Sequence, residues 1–198
     1  MIICCLDLEG VLVPEIWIQV SKKTGIRELR FTTRDVPDYD KLMKRRLQIL
    51  REHRISLKDI QDVIRRIKPL PGARAFLDEL RSRRQVVILS DTYEEFARPL
   101  MEKLGYPALF CNDLVVDKKG FIAGYRLRQK NGKEKAVKAL RRIGFRVHAA
   151  GDSYNDITML KAADRGVLFN PPENIRREFS KFEIANSYGQ LLKMLVDI

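Results

Sequence analysis

An apolar run at the start of the chain ends in "DLEG", two carboxylates, Asp7 and Glu9, spaced by one leucine and followed by Gly10. Two more apolar runs end the same way. "QVVILSDT" ends in Ser90, Asp91 and Thr92, and "FRVHAAGDSYND" ends in Asp152 and Ser153 with Asn155 and Asp156 just beyond. Lys133 opens a helical stretch between them. These are the groups that phosphoryl transfer needs. Carboxylate oxygens are the hard donors that Mg²⁺ takes, often one or two of them together with substrate phosphate; Asp7 and Asp152 suit that role. Asp7 can also attack phosphorus, splitting one hard hydrolysis into two easier transfers. The charge on the transferred group must be neutralised, for which Ser90 supplies a hydroxyl and Lys133 a fixed cation. In an extended strand Glu9 would face away from Asp7, so the chain must turn there, and Gly10 permits the turn. Glu9 then lies beside the leaving oxygen, as acid first and as base for water afterwards. Asp91 and Thr92 read equally as turn residues; Asp91 is counted here with the substrate-binding groups.

These positions meet only if the chain places three strand ends together. "MIICCLDL", "QVVILSD", "FRVHAAGD" and the short "GVLF" read as strands. Between the later strands lie helices at "EEFARPLMEKLG", "KEKAVKALRRIG" and "NDITMLKAA", and "DLVVDKKGFIAGYRLRQ" reads as a hairpin turning at Lys119-Gly120. Alternation of this kind implies an α/β fold with a Rossmann-like parallel sheet, in which ligands sit beyond the carboxyl ends of the strands. Residues 14–72 interrupt the alternation. They contain "PEIWIQVSKKTGI" with Pro14 in its first turn, turn chemistry at "RDVPD", a basic helix directing Leu42, Met43, Leu47 and Leu50 inward, and "SLKDIQDVIRRI", in which Ser56 and Asp59 approximate a capping box. This block reads as a small helical cap inserted into a catalytic core formed by residues 1–13 and 73–198.

With 198 residues the chain suits one domain carrying an insertion. No apolar run nears the roughly 20 residues of a membrane helix, and the N-terminus lacks the pattern of a secretory signal. A cytoplasmic protein is expected. The three cysteines, Cys4, Cys5 and Cys111, form no CxxC pair and read as small buried hydrophobes. The net charge of +12 raises nucleic acid as a partner. The basic residues are dispersed and no aromatic stacking motif accompanies them, so a solvated surface is preferred. His53 and His148 have no metal-ligand neighbours, and Trp17 reads as core.

"DLEGV", "LSDT", Lys133 before a helix, and "GDSYND", in this order, resemble the four motifs of the haloacid dehalogenase superfamily of phosphatases. Over essentially the whole chain the sequence is similar to phosphoserine phosphatases, including the ThrH variety that also passes the phosphoryl group to homoserine. The resemblance extends to "TTRDVPDYDKLMKRRL" and "GYRLRQK". It implies Asp7 as nucleophile, Glu9 as acid/base with its backbone carbonyl on Mg²⁺, Ser90 and Lys133 on phosphate, and Asp152 on the metal. It gives Asn155 and Asp156 supporting contacts. Glu15 and Arg46 correspond to the groups that hold the ammonium and carboxylate of an amino-acid substrate; the planar fork of Arg matches a carboxylate. Most relatives carry a second Asp where this chain has Glu9, and the ThrH variety shares the Glu. Enolase-phosphatases also begin "D-x-E-G", which leaves another small phosphorylated metabolite open as substrate, and a nucleic-acid-binding protein on a retained scaffold is the reading from another class.

The nucleophile role has a direct test. Asp7→Asn keeps the shape and removes the attacking oxygen, so turnover falls more than about a thousandfold, ~4 kcal/mol in the barrier, while circular dichroism stays unchanged. Near-normal turnover would rule out the covalent route.

Overall fold

The structure is a computed structural model that describes residues 1–32, 35–36 and 38–197. The turn expected at 34–38 therefore lies partly outside the described residues. Strand β1 (Ile2–Leu6) is followed by helices α1 (Ile16–Thr24), α2 (Tyr39–Glu52), α3 (Leu57–Ile64) and α4 (Ala73–Arg83). Then come β2 (Gln85–Tyr93), α5 (Glu94–Lys103), the hairpin β3 (Ala108–Val116) and β4 (Ile122–Arg126), α6 (Gly132–Arg142) and β5 (Arg146–Gly151). The chain closes with α7 (Ile157–Ala162), β6 (Arg165–Phe169), α8 (Glu173–Glu178), β7 (Glu183–Ala185) and α9 (Tyr188–Val196).

The strands form one seven-stranded sheet in the order β4-β3-β2-β1-β5-β6-β7. All pairs are parallel except β3 with β4. The expectation of a parallel sheet is met with one addition: the hairpin joins the sheet, β3 running parallel to β2 and β4 closing the edge in the opposite sense. β1 lies at the centre, with Cys4, Cys5 and Leu6 fully buried, as an uninterrupted apolar strand covered on both faces should be. Leu6 is level with Ile88 of β2 and Ala150 of β5. That register brings the polar residues following each strand to one edge. The chain crosses from β1 to β2 on one side while β5 pairs on the other, so the strand order reverses where Asp7 emerges.

The pairing of β2 with β3 slips between Leu89 and Tyr93. Ser90, Asp91 and Thr92 fall in that irregularity. The sheet is packed on both faces. One apolar cluster joins the sheet to α1, α2 and α3 through Trp17, Met43, Ile60, Ile64, Phe96 and Leu100; the other contains Cys5, Val137, Ala149, Leu160 and Leu168.

Local signals were mostly obeyed. Ser56 and Asp59 form a reciprocal capping box at α3, and Gly25 ends α1 in the left-handed conformation with φ 76°. The hairpin turns at Gly120, with the Asp117 carboxylate accepting the N–H groups of Lys119 and Phe121. Pro14 is a correction: α1 begins at Ile16, so Pro14 lies outside its first turn. The Ile16 N–H, one of the donors that a helix start leaves without an intrahelical partner, is taken by Glu9. Leu47 is only half-buried; Ile49 and Arg46 occupy the inward face of α2 instead. α8, β7 and α9 were not foreseen. Among the described residues no helix is long and apolar enough to cross a membrane.

His148 on β5 is 1% exposed, and its Nδ1 lies 2.8 Å from the Leu195 carbonyl, tying the sheet to α9. Burial holds its pKa below the ordinary 6.5. The unfolded chain therefore binds this proton first, and stability falls as pH drops below about 6.5. Urea denaturation between pH 8 and pH 5 should show the native sequence losing stability relative to His148→Gln as the pH falls.

Candidate active site

Asp7 follows β1 directly. Its N–H donates to the Ala150 carbonyl at 2.9 Å, extending the pairing with β5, and its Oδ1 accepts the Leu8 N–H at 2.8 Å. The side chain is fixed from both sides and only 3% exposed. Beyond it the chain folds back: the N–H groups of Leu12 and Val13 donate to the Leu8 carbonyl, and Gly10 has φ 80°. A Cβ on Gly10 would overlap the Asp152 carboxyl, so glycine is required by space as well as by dihedral. The turn inferred from the sequence is present. It sends Glu9 back toward the cavity, where Oε2 accepts the Ile16 N–H at 2.7 Å. Burial, then the nearby Glu15, pushes the Glu9 carboxyl up to about 8; the Ile16 N–H, Arg46 and Lys133 oppose that rise.

Lys133 comes from the first turn of α6 and is 5% exposed. Its Nζ lies 2.8 Å from Asp7, 2.7 Å from Asp156 and 3.7 Å from Asp91. Burial acts against its charge, yet these carboxylates outweigh burial and hold its pKa well above the ordinary range. Burial and Asp156 drive the Asp7 pKa upward, while Lys133 pulls it back.

Asp156 is fully buried. Its Oδ1 accepts from Lys133, and its Oδ2 accepts the N–H groups of Asp152 and Ser153 at 3.0 and 3.1 Å. Gly151 makes room for it, since a Cβ there would overlap the Asp156 side chain. One oxygen each from Asp7, Asp152 and Asp156 lie within 4.8 Å of one another. Three carboxylates at such range are consistent with the oxygen donors that a hard divalent cation takes, and the absence of a Cβ on Gly10 leaves room for Asp152. The Glu9 carboxyl is not among these three; it is turned toward α1.

Ser90 is buried, and its Oγ accepts the Thr92 N–H at 3.2 Å. Asp91 turns its carboxylate to the cavity, accepting from Asn155 Nδ2 at 3.1 Å, while its carbonyl accepts from Asn112 Nδ2 at 3.1 Å. Asn155 is further held by Ser153, whose hydroxyl donates to its side-chain oxygen.

Arg46 of α2 is 6% exposed. Its guanidinium stacks 4.4 Å above the Trp17 ring, and Nη2 donates to the Phe31 carbonyl at 2.7 Å. Nε is buried with no hydrogen-bond partner among the described residues. Burial lowers its pKa to about 10, which leaves it charged. Asp7, Glu9, Glu15, Arg46, Ser90, Asp91, Lys133, Asp152 and Asn155 all line one cavity of about 1280 Å³. The fold thus gathers every residue singled out in the sequence. Trp17, expected as core, is buried and also lines this cavity. Tyr39 and Tyr93 are among the lining residues that the sequence did not single out. The signal for Tyr39 was its place seven residues before Arg46 on one helix; nothing local marks Tyr93.

A family model of haloacid dehalogenase-like hydrolases matches residues 3–164. The chain is 55% identical to a phosphoserine phosphatase of Pseudomonas syringae pv. tomato, over 98% of this chain and 82% of that protein. It is 57% identical to phosphoserine phosphatase ThrH of Pseudomonas aeruginosa, over 96% of this chain and 93% of that protein. The fold is similar to the crystal structure of phosphoserine phosphatase from T. onnurineus, with a TM-score of 0.76, 22% identity, and coverage of 99% of this chain and 94% of that one.

Replacing the shared cation exposes what it holds. Lys133→Met leaves Asp7 and Asp156 buried without their partner, and stability falls by about 3–5 kcal/mol. The loss should be larger at pH 8 than at pH 5, because burial raises the Asp7 pKa, and a carboxyl raised in the folded state contributes stability at low pH that disappears as it ionises. Thermal melts of both proteins at the two pH values measure this; an equal loss at both would mean the carboxylates are not the cause.

Proposed function

The chain belongs to the haloacid dehalogenase-like hydrolases, and from that membership and the site's geometry we propose that it is a Mg²⁺-dependent phosphoserine phosphatase working through an aspartyl-phosphate. The observation that carries the reading is the Lys133 ammonium between Asp7 and Asp156 at 2.8 and 2.7 Å, at the strand edge that also holds Ser90. Residues 14–72 form the proposed cap. Relatives more than half identical to this chain bear the name phosphoserine phosphatase, which supports the substrate.

Asp7 and Asp152 would hold Mg²⁺, with the Glu9 carbonyl. Asp156 is left to orient, since its two oxygens already accept from Lys133 and two backbone amides. Bound there, the cation supplies positive charge that keeps the carboxylates ionised and offsets the charge of the phosphate.

The remaining steps belong to the chain. Lys133 and the Ser90 hydroxyl hold the phosphate oxygens, which lets the Asp7 carboxylate approach an anion. An Asp7 oxygen bonds to phosphorus as the phosphorus–serine oxygen bond breaks. Glu9, protonated near neutral pH because burial raises its pKa to about 8, gives its proton to the departing serine oxygen. Its carboxylate then takes a proton from water as that water's oxygen bonds to phosphorus, releasing phosphate and restoring Asp7. Arg46 grips the substrate carboxylate through its guanidinium, and Glu15 faces the ammonium. The cavity exceeds the usual 300–1,000 Å³ of a small-molecule site, which supports a second, alcohol acceptor in place of water; homoserine is the acceptor proposed.

Two measurements test this. Arg46→Ala should lower kcat/KM for phosphoserine about 10- to 150-fold, the worth of a charge-assisted hydrogen bond, and for an aryl phosphate by much less; equal losses would remove the amino-acid specificity. Chelation should abolish turnover and Mg²⁺ restore it, whereas full activity in metal-free protein would refute the role given to Asp152.

A further inference from the structure

We infer that the hydrogen bond between the Tyr39 and Tyr93 hydroxyls, 2.6 Å apart, is a ruler: it fixes the spacing between Arg46 and Ser90 and so selects the length of the substrate. The inference rests on the reading of Arg46 as carboxylate grip and Ser90 as phosphate grip.

Tyr39 is the first residue of α2, and Arg46 lies seven residues on, two helical turns along the same face. Leu42 and Met43 between them are buried. Tyr93 lies three residues after Ser90 on the same strand, β2. One hydroxyl pair therefore joins the helix that carries one anion grip to the strand that carries the other. Tyr93 is 1% exposed, and a buried hydroxyl requires a partner; Tyr39 supplies it.

The surroundings stiffen the link. The Tyr39 hydroxyl also lies 3.4 Å from the Asp91 carbonyl, next to Ser90. The Tyr125 ring from β4 stands edge-on to Tyr39, and its hydroxyl is bonded to Asp40, the next residue of α2. From Tyr93 a line of rings runs through Phe96 to Trp17, on which the Arg46 guanidinium rests. The first turn and the middle of α2 are thus referenced to β2, one by the hydroxyl pair and the other by edge-to-face rings. A substrate with an anion at each end must match that span. Tyr39 acts here through the helix, as a positioning residue.

The experiment compares kcat/KM for phosphoserine, for its homologue with one more methylene between the amino-acid carbon and the phosphate oxygen, and for an aryl phosphate. Tyr39→Phe, Tyr93→Phe and the double variant are measured with the native protein and Arg46→Ala. Tyr39→Phe strands the Tyr93 hydroxyl, whereas Tyr93→Phe leaves the Tyr39 hydroxyl its contact with the Asp91 carbonyl. The double change removes both partners at nearly constant shape, so its melting temperature should stay near native. The native protein should prefer phosphoserine to the longer homologue. In the double variant that preference should fall about tenfold, the equivalent of one ordinary hydrogen bond, while aryl phosphate turnover is largely kept. A preserved preference, an equal fall on all three substrates, or no native preference would each overturn the ruler. If Arg46→Ala fails to separate phosphoserine from the aryl phosphate, the grip itself is wrong and the ruler falls with it. If Arg46→Ala separates them and the double variant keeps its preference, only the ruler fails.

Discussion

The structure is organised around one buried ammonium. Lys133 reaches from the start of α6 to Asp7 after β1, to Asp156 after β5, and toward Asp91 on β2. Each of these carboxylates comes from a different strand; Asp7 and Asp156 are buried with the cation between them, while Asp91 is half-exposed. Two ions taken from water carry a desolvation penalty that close pairing and further hydrogen bonds must offset. Asp156 accepts two backbone amides and Asp7 accepts a third, which act against that penalty. The parallel register, with Leu6 level with Ile88 and Ala150, brings the strand ends to the point where one cation serves them all.

Glu9 shows how local folding and chemistry share one contact. Its carboxylate accepts the first N–H of α1, so the position of the acid and the start of the helix are set together. The same contact moves the helix start past Pro14, where composition alone placed it. A helix N-terminus favours negative charge, yet burial and the facing Glu15 win and raise the Glu9 pKa. Where the chain turns thus decides how far the pKa of this carboxyl is raised.

Much of this was legible in the sequence, for a physical reason. Strands buried on both faces read as continuous apolar runs, and polar residues that end such runs stand out. Asp7, Ser90 and Asp152 were visible in that way. Glycines with a steric duty, Gly10 and Gly151, sat beside them. The meeting of Asp7 and Asp156 through Lys133 was less visible, because it depends on the order of strands in the sheet. α8 and β7 are too short to carry a period, and β7 has three residues. The Tyr39–Tyr93 contact is a pairing across 54 positions that no local pattern announces. Arg46 sits among basic neighbours in "KRR", and only its burial distinguishes it from solvated surface.

The helices that follow β1 do not merely sit above the sheet. Trp17, Met43, Ile60 and Ile64 belong to the same apolar cluster as Phe96 and Leu100, so hydrocarbon continues from these helices into α5 beside the polar cavity. Lifting these helices away hydrates hydrocarbon, and hydration of apolar surface raises heat capacity. The gap in free energy between seated and lifted arrangements is therefore curved in temperature. Cooling weakens the apolar contribution to seating, and the enthalpy of lifting changes steadily with warming. The seating of these helices is in this way a temperature-dependent quantity, set by oil-like contacts beside the charged groups that line the cavity.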